Sequence, residues 1–378
     1  MQQVKNDIKI LIEKGRFDKS LKEISLSVIE NERINTEQAV ILFNKADLSL
    51  LAVLADYKNQ LQNNRKVYFN KNIHIEPTNI CVYNCRFCSY SRKKNDNDSW
   101  VYSIDDIKEI AGKYKSAGIT EVHVVGGVHP EWDINYYCLI LETIKKELPY
   151  ATIKAFTAVE ITYISKKAGI SVKETLGKLK KSGLACLPGG GAEIFNNEIR
   201  KKICPDKCST DEWLEVHKQA HKLGIQTNAT ILYGHLESYI DRVEHMQKIR
   251  ELQDETSGFN AFIPLKYRLK NNILNIDKET SVVEDLKNYA VSRVFLDNIP
   301  HIKAYWPMIG RQTARLSLSF GADDLDGTID DTTKIYTMAD VEEKKPVMTS
   351  AEMIEIIRSS DKIPVERDSF YNEINIYN

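Results

Sequence analysis

From Ile73 onward the chain alternates short apolar runs with segments that open on a helix-capping residue, and this alternation restricts the fold more than any other feature. The expected strands are Ile73 to Pro77, Glu121 to Gly126, Thr152 to Ala158, Leu184 to Pro188, Ile225 to Leu232, Phe259 to Leu265, His301 to Trp306 and Leu316 to Phe320. Between them, Ser103 with Asp106, Ser171 with Glu174, Ser209 with Glu212 and Ser281 with Glu284 have capping-box spacing, as do Thr349 and Glu352 after the last run. Gly118, Gly183 and Gly224 stand where helices should end, because glycine takes the left-handed conformation at little cost. The pattern predicts an α/β chain folded as a (β/α)8 TIM-type barrel. An open doubly wound sheet is the alternative, since a strand pattern does not reveal closure.

Residues 1–70 read differently, with Ile8, Leu11, Ile12 and then Leu21, Ile24, Val28 at helix spacing. Asn35 or Thr36 can cap the segment that follows. The expected organisation is a helical extension over 1–70, a barrel over 71–330, and a C-terminal helix and tail over 331–378 packed on the barrel.

Barrels of this kind carry their chemistry at the C-terminal ends of the strands, and those ends are polar or glycine-rich here. After the first come Glu76, Pro77, Thr78, Asn79 and then Cys81, Cys85 and Cys88 at C-x3-C-x2-C spacing. Three thiolates on one tight loop can hold three corners of a cubane iron-sulfur cluster and leave the fourth iron open. Zinc and inert structural cysteines compete, but closed zinc sites want four ligands, and no fourth Cys or His follows nearby. Other rim candidates are Gly126 and Gly127, Glu160, Gly189-Gly190-Gly191 with Glu193, Asn228, Tyr233, His235, and Asp323 after the eighth strand. The glycines let backbone approach a ligand closely, and His235 has an unperturbed pKa near working pH. Arg92, Arg311 and Arg315 can bind carboxylates in bidentate fashion. Cys204, Cys208, His217 and His221 superficially suggest a zinc finger, yet the spacing is short and the histidines continue the apolar face of Trp213 and Val216.

The net charge of -1 argues against nucleic acid as a partner. No apolar run approaches the roughly 20 residues that span a bilayer. Seven cysteines, an odd number with three in one motif, fit a reducing compartment, and the cytoplasm is the expected location.

The motif Cys81-Val82-Tyr83-Asn84-Cys85-Arg86-Phe87-Cys88 after the first strand resembles that of the radical S-adenosylmethionine superfamily, with Phe87 at its aromatic position. Within it, Ser89-Tyr90-Ser91-Arg92, Gly126-Gly127-Val128-His129-Pro130, Pro188-Gly189-Gly190-Gly191-Ala192-Glu193 and Thr227 to His235 are similar to segments of the aminodeoxyfutalosine synthase family of menaquinone biosynthesis. The resemblance implies a [4Fe-4S] cluster on Cys81, Cys85 and Cys88, and S-adenosylmethionine (SAM) as co-substrate near Phe87, Gly126, Gly127, Glu160 and Glu193. It further implies 3-[(1-carboxyvinyl)oxy]benzoate as substrate, with Arg92, Asn228, Tyr233, Arg311 and Arg315 as binding residues. Catalytic roles would fall to His235, Glu76 and Asp323. A flavodoxin- or ferredoxin-type electron donor is implied as a partner, and a homodimer stays open. Hydrogen-abstracting relatives, a cyclic dehypoxanthine futalosine synthase or a deazaflavin synthase subunit, are the alternative. A non-catalytic iron-sulfur or zinc-binding interaction protein leaves the glycine-rich rim unexplained.

Overall fold

The structure, a computed structural model, describes residues 1–327, 334, 338–339, 341 and 346–378. Its first strand starts earlier than the apolar run suggests. β1 (Lys66–Phe69) and β2 (Asn72–Ile75) follow one another directly, and each pairs with a different neighbour. β3 (Glu121–Val124), β4 (Thr152–Ala155), β5 (Leu184–Leu187), β6 (Gln226–Tyr233), β7 (Phe259–Lys266), β8 (His301–Ala304) and β9 (Asp324–Leu325) follow in parallel. β2 pairs with β3 and β1 with β9, so the sheet returns on itself as a TIM-type barrel. Asn72 Nδ2 donates to Asp326 Oδ2 at 3.4 Å across that seam.

One strand is corrected. Leu316–Phe320 is not the eighth: Arg311–Ser317 is helical, and Gly321, at a φ of 88°, turns the chain into the two-residue β9. A short apolar run does not separate strand from helix by pattern alone. Leu316 is half exposed while Leu318 is buried, which marks one face of a helical turn.

Four helices precede the barrel: α1 (Gln2–Lys14), α2 (Lys19–Ile29), α3 (Thr36–Lys45) and α4 (Leu48–Asn63). Asn35 caps α3 in a capping box with Gln38. α3 and α4 lie against the barrel helices Tyr239–Thr256 and Val282–Phe295, and Arg33 bridges Asp254 and Asp297. The extension therefore flanks the outer helical layer. At the other end, the helix Ser350–Arg358 is capped by Thr349 with Glu352. The polar tail then forms β10 (Ile363–Arg367), parallel to β1, and β11 (Glu373–Ile376), antiparallel to β10. The expected boundary at 330/331 lies outside the described residues.

Alternation along the strands divides two environments. Ile73, Ile75, Val122, Val124, Ile153 and Ala155 face the helices and are at most 1% exposed, each large one worth roughly 1.5–3 kcal/mol of burial. The facing register partners Asn72 and Glu121, His74 and His123, His123 and Lys154, and Lys303 and Asp324 point into the barrel. The charged ones are paired there: Lys154 with Glu121 at 2.6 Å, Lys303 with Asp326 at 2.9 Å, and Arg367 with Asp324 at 2.6 Å. The turn after β10 closes the N-terminal mouth. Ser369 Oγ donates to Glu121 at 2.7 Å, and Tyr371 stacks on His301 at 3.8 Å.

Candidate active site

Cys81, Cys85 and Cys88 are free, half-buried thiols on the loop after β2. Four separate segments hold that loop. Cys81 N–H donates to Arg92 O at 3.0 Å, Val82 N–H to Val128 O at 3.0 Å and Arg86 N–H to Ile203 O at 2.8 Å, while Ile273 N–H donates to Arg86 O at 2.9 Å. Backbone donors also reach sulfur: Val128 N–H lies 3.4 Å from Cys81 Sγ, and the N–H groups of Ser91 and Tyr90 serve Cys88. Burial pushes the Cys85 thiol up to about 12 and raises Cys88 as well. Such thiols are poor nucleophiles alone and ionise when a metal centre supplies positive charge. Three thiols with backbone N–H groups aimed at sulfur fit a cubane cluster with one open iron. Among the described residues no three Cys, His, Asp or Glu groups gather as a single-ion site. The histidines of the zinc-finger-like pattern are packed in the core: His217 and His221 each contact Thr227 Oγ1 at 2.8 Å and pack on Phe259.

Gly126 and Gly127 follow β3 and dock against the chain itself. A Cβ on Gly126 would stand 2.7 Å from Thr78 O, and one on Gly127 would collide with Ile80 O. Their lack of side chains thereby brings the glycine segment against the start of the cysteine loop. Glu193 has a φ of 49°, and its carboxylate meets Lys207 Nζ at 2.5 Å in a buried pair. The Lys207 ammonium also stands over the Phe87 ring, 5.1 Å from its centroid. Sequence reasoning missed Lys207, hidden between Cys204 and Cys208. Its signal was a lone lysine in a loop whose neighbours carried the metal question.

Glu160 caps its own helix, Ala158–Ala168, by accepting from Thr157 N–H at 2.6 Å and Thr157 Oγ1 at 2.9 Å. Burial outweighs those bonds and pushes its carboxyl up to about 7. The folded state therefore holds a proton that the unfolded chain, with a value near 4.5, releases. Stability from this group is present below pH 4.5 and is lost as pH rises through about 7. Glu160→Gln keeps the cap and removes the ionisation. It is expected to flatten the fall in stability between about pH 5 and 8, by roughly 2–3 kcal/mol over that window. Urea unfolding at several pH values measures this, and an unchanged slope would refute it.

The expected site residues divide into two groups. Glu76, Phe87, Gly126, Gly127, Glu160 and Glu193 lie at the C-terminal end of the barrel with the three cysteines, while Asn228 sits lower, in the first half of β6 and level with Ala261 of β7. The Glu76 carboxylate accepts from Lys334 N–H at 3.0 Å. The side chains of the others are held by partners within the protein, and Asp323 leaves this rim. Asp323 lies at the N-terminal end, before β9, where it binds Arg293 at 2.5 Å, His301 at 2.5 Å and the Ile302 N–H at 2.7 Å. The misplaced eighth strand had put it on the wrong rim. Tyr233 faces outward and donates to Asp285 at 2.9 Å. His235 is enclosed in its own turn: Leu236 N–H donates to Nδ1 at 2.7 Å, which leaves Nε2–H for Leu232 O at 3.0 Å. The ring braces the loop; burial lowers its pKa, and the Glu237 carboxylate, 3.2 Å from Nδ1, opposes that shift. Arg92 is held by Asp98 at 2.7 Å and by Ser89 O at 2.9 Å. Arg311 bonds Glu352 at 3.0 Å and Val347 O at 2.7 Å, and Arg315 bonds Ser359 O at 3.2 Å. Arg311 also borders a cavity of about 470 Å³ with Lys266, Arg268 and Trp306.

Residues 75–249 match the Radical SAM superfamily, and residues 256–376 match the CofH/MqnC C-terminal region. The aminodeoxyfutalosine synthase of Thermus thermophilus is 39% identical over 96% of this chain and 98% of its own length. The chain belongs to the radical SAM superfamily. Its Streptomyces coelicolor counterpart, also an aminodeoxyfutalosine synthase, is 37% identical over 96% of both chains. A 5-amino-6-(D-ribitylamino)uracil–L-tyrosine 4-hydroxyphenyl transferase of Methanosarcina mazei is 40% identical over 81% of this chain and 79% of its own. The fold is shared with the FeFe-hydrogenase maturase HydG from Carboxydothermus hydrogenoformans, with a TM-score of 0.72 at 16% identity, over 98% of this chain and 84% of that one. Methylornithine synthase (PylB) gives 0.67 at 17% identity, over 89% and 95%. The protein is a transferase-type radical SAM enzyme. None of its described helices is long and apolar enough to cross a membrane.

Proposed function

We propose that this radical SAM enzyme is an aminodeoxyfutalosine synthase, which joins the 5'-deoxyadenosyl group of SAM to 3-[(1-carboxyvinyl)oxy]benzoate. The observation that carries this reading is the end-to-end similarity to two such synthases, 98% and 96% of whose lengths the chain covers. Cys81, Cys85 and Cys88 would hold a [4Fe-4S] cluster that, when bound and reduced by a flavodoxin- or ferredoxin-type donor, supplies the electron that cleaves SAM. The sum is redox-neutral. The adenosyl carbon bonds to the enolpyruvyl methylene, the aryl group migrates, and one carboxylate leaves as carbon dioxide. Methionine is released, and the electron is returned on re-oxidation.

The chain's own residues position and exclude water more than they transfer protons. Gly126 and Gly127 seat their strand end against the cysteine loop, and the Glu193–Lys207 pair stands beside Phe87. Asn228 and Thr230 face the interior below them, where Thr230 Oγ1 donates to Gly189 O at 2.7 Å. The C-terminal turn seals the opposite mouth.

A second reading, a tyrosine-acting relative, draws on the 40% identity to the Methanosarcina mazei transferase. Anaerobic turnover with SAM, reductant and 3-[(1-carboxyvinyl)oxy]benzoate, followed by mass spectrometry, separates them. A nucleoside product that retains the adenosyl group and has lost one carboxylate is expected. Release of 5'-deoxyadenosine alone would transfer the assignment to a hydrogen-abstracting relative.

A further inference from the structure

Below the cysteine loop the barrel interior is polar in a way the proposed chemistry has not used. Along β2, β3, β4 and β8 the inward positions include Asn72 and His74, then Glu121 and His123, then Lys154, then Lys303. Barrel interiors are ordinarily filled by branched aliphatic residues. Buried ion pairs seldom return more than their desolvation takes, so stability does not account for this layer.

Two observations bear on His123. Its Nε2 is buried without a hydrogen-bond partner. The residue nevertheless keeps part of its surface accessible inside the barrel, so it borders space that protein atoms do not fill. His74 stands beside it, ring centroids 4.8 Å apart, and Lys154 is its register partner. Higher up, the inward faces of β6 and β7 turn apolar at Leu232, Ile263 and Leu265. Lower down, the Arg367–Tyr371 turn closes the mouth. A lumen that is apolar at Leu232, Ile263 and Leu265 and polar at its floor would suit a flat ring with a polar substituent remote from the reacting end.

We propose that His123, beside His74, Lys154 and the Lys303–Asp326 pair, is a specificity-determining residue that receives the ring carboxylate of an aromatic substrate whose enolpyruvyl end faces the cysteine loop. This rests on the proposed function. Lys154 and Lys303 are already paired with Glu121 and Asp326, so the arriving carboxylate is balanced by a proton taken up on His123. Burial and then His74 hold His123 down to about 3, so it is neutral near pH 7. Glu121 and Asp326 favour its charged form, and Lys154 opposes it. A phenol delivered to the same place would arrive neutral, with its own proton, and would call for no proton uptake.

Calorimetric titration of the cluster-loaded enzyme, in buffers of different ionisation enthalpy, tests this with two probes. They are 3-[(1-carboxyvinyl)oxy]benzoate and 2-phenoxyacrylate, which lacks the ring carboxylate. The wild type is expected to prefer the dicarboxylate about 10- to 100-fold and to take up about one proton. His123→Leu should lose both the preference and the proton uptake while binding 2-phenoxyacrylate as before. His123→Gln, closer in polarity, should keep part of the preference without the proton. Visible absorbance of the cluster confirms that each variant is assembled. An unchanged preference in both variants would overturn the inference and leave the proposed function standing. Failure of the wild type to bind either compound, with binding of tyrosine instead, would remove the proposed function and this inference together.

Discussion

Replacing Cys85 by Ala, and equally Cys81 or Cys88, is expected to abolish SAM cleavage while leaving the barrel folded. All three thiols sit on a loop tied to Arg92, Val128, Ile203 and Ile273 by backbone bonds that do not involve the cysteine side chains. Removal of one sulfur leaves that scaffold in place but takes away one of the three proposed cluster ligands. Loss of a residue that merely supports a ligand typically costs 10- to 100-fold in metal affinity or activity. Loss of a ligand itself should exceed about 100-fold. Iron content after anaerobic reconstitution, cluster absorbance and 5'-deoxyadenosyl products measured together check this. Turnover within tenfold of wild type in any of the three variants would sink the cluster assignment.

The second large effect falls on stability, at the opposite end of the barrel. Arg367 donates from Nε and Nη2 to Asp324 Oδ2 at 2.9 and 2.6 Å, and both side chains are fully buried. Arg367 also stacks on Tyr371, 3.9 Å from its centroid. Arg367→Ala leaves the Asp324 carboxylate buried beside the partly engaged Lys303, at 3.8 Å. Breaking one side of such a pair costs about 3–5 kcal/mol. The double replacement Arg367→Met with Asp324→Leu removes both charges and should recover most of that loss. Denaturant unfolding of the three proteins decides the matter. A loss below about 1 kcal/mol in Arg367→Ala would show that the C-terminal turn is not anchored by this pair.

The capping boxes at Ser103, Ser171, Ser209 and Thr349 formed, because a hydroxyl three residues before an acid satisfies helix N–H groups locally, whereas Ser281 accepts from Glu284 N–H without the return bond. The first seven apolar runs became strands for a similarly local reason. The eighth failed because Leu316, Leu318 and Phe320 suit a strand and a helical turn alike, and only the closing contacts of β9 with β1 and β8 choose between them. That error carried Asp323 to the wrong rim.

One part of the site was legible and went unread. Asn72-Ile73-His74-Ile75-Glu76, Glu121-Val122-His123-Val124 and His301-Ile302-Lys303-Ala304-Tyr305 alternate polar with apolar. A parallel strand covered on both faces ordinarily reads as continuous hydrophobic residues. The alternation was the sign of a polar lumen. By contrast, nothing local distinguishes Arg311 or Arg315, held by 347–359, from an arginine that faces substrate.

By itself the sequence determined the strand-helix alternation, most helix starts and the three-thiol loop, since each depends on residues a few positions apart. Tertiary structure alone decided barrel closure through the split first strand, the Glu193–Lys207 pair beside Phe87 and the Arg367–Asp324 plug. These join residues 14 to more than 250 positions apart, and their geometry follows from strand register and burial, which no local pattern encodes.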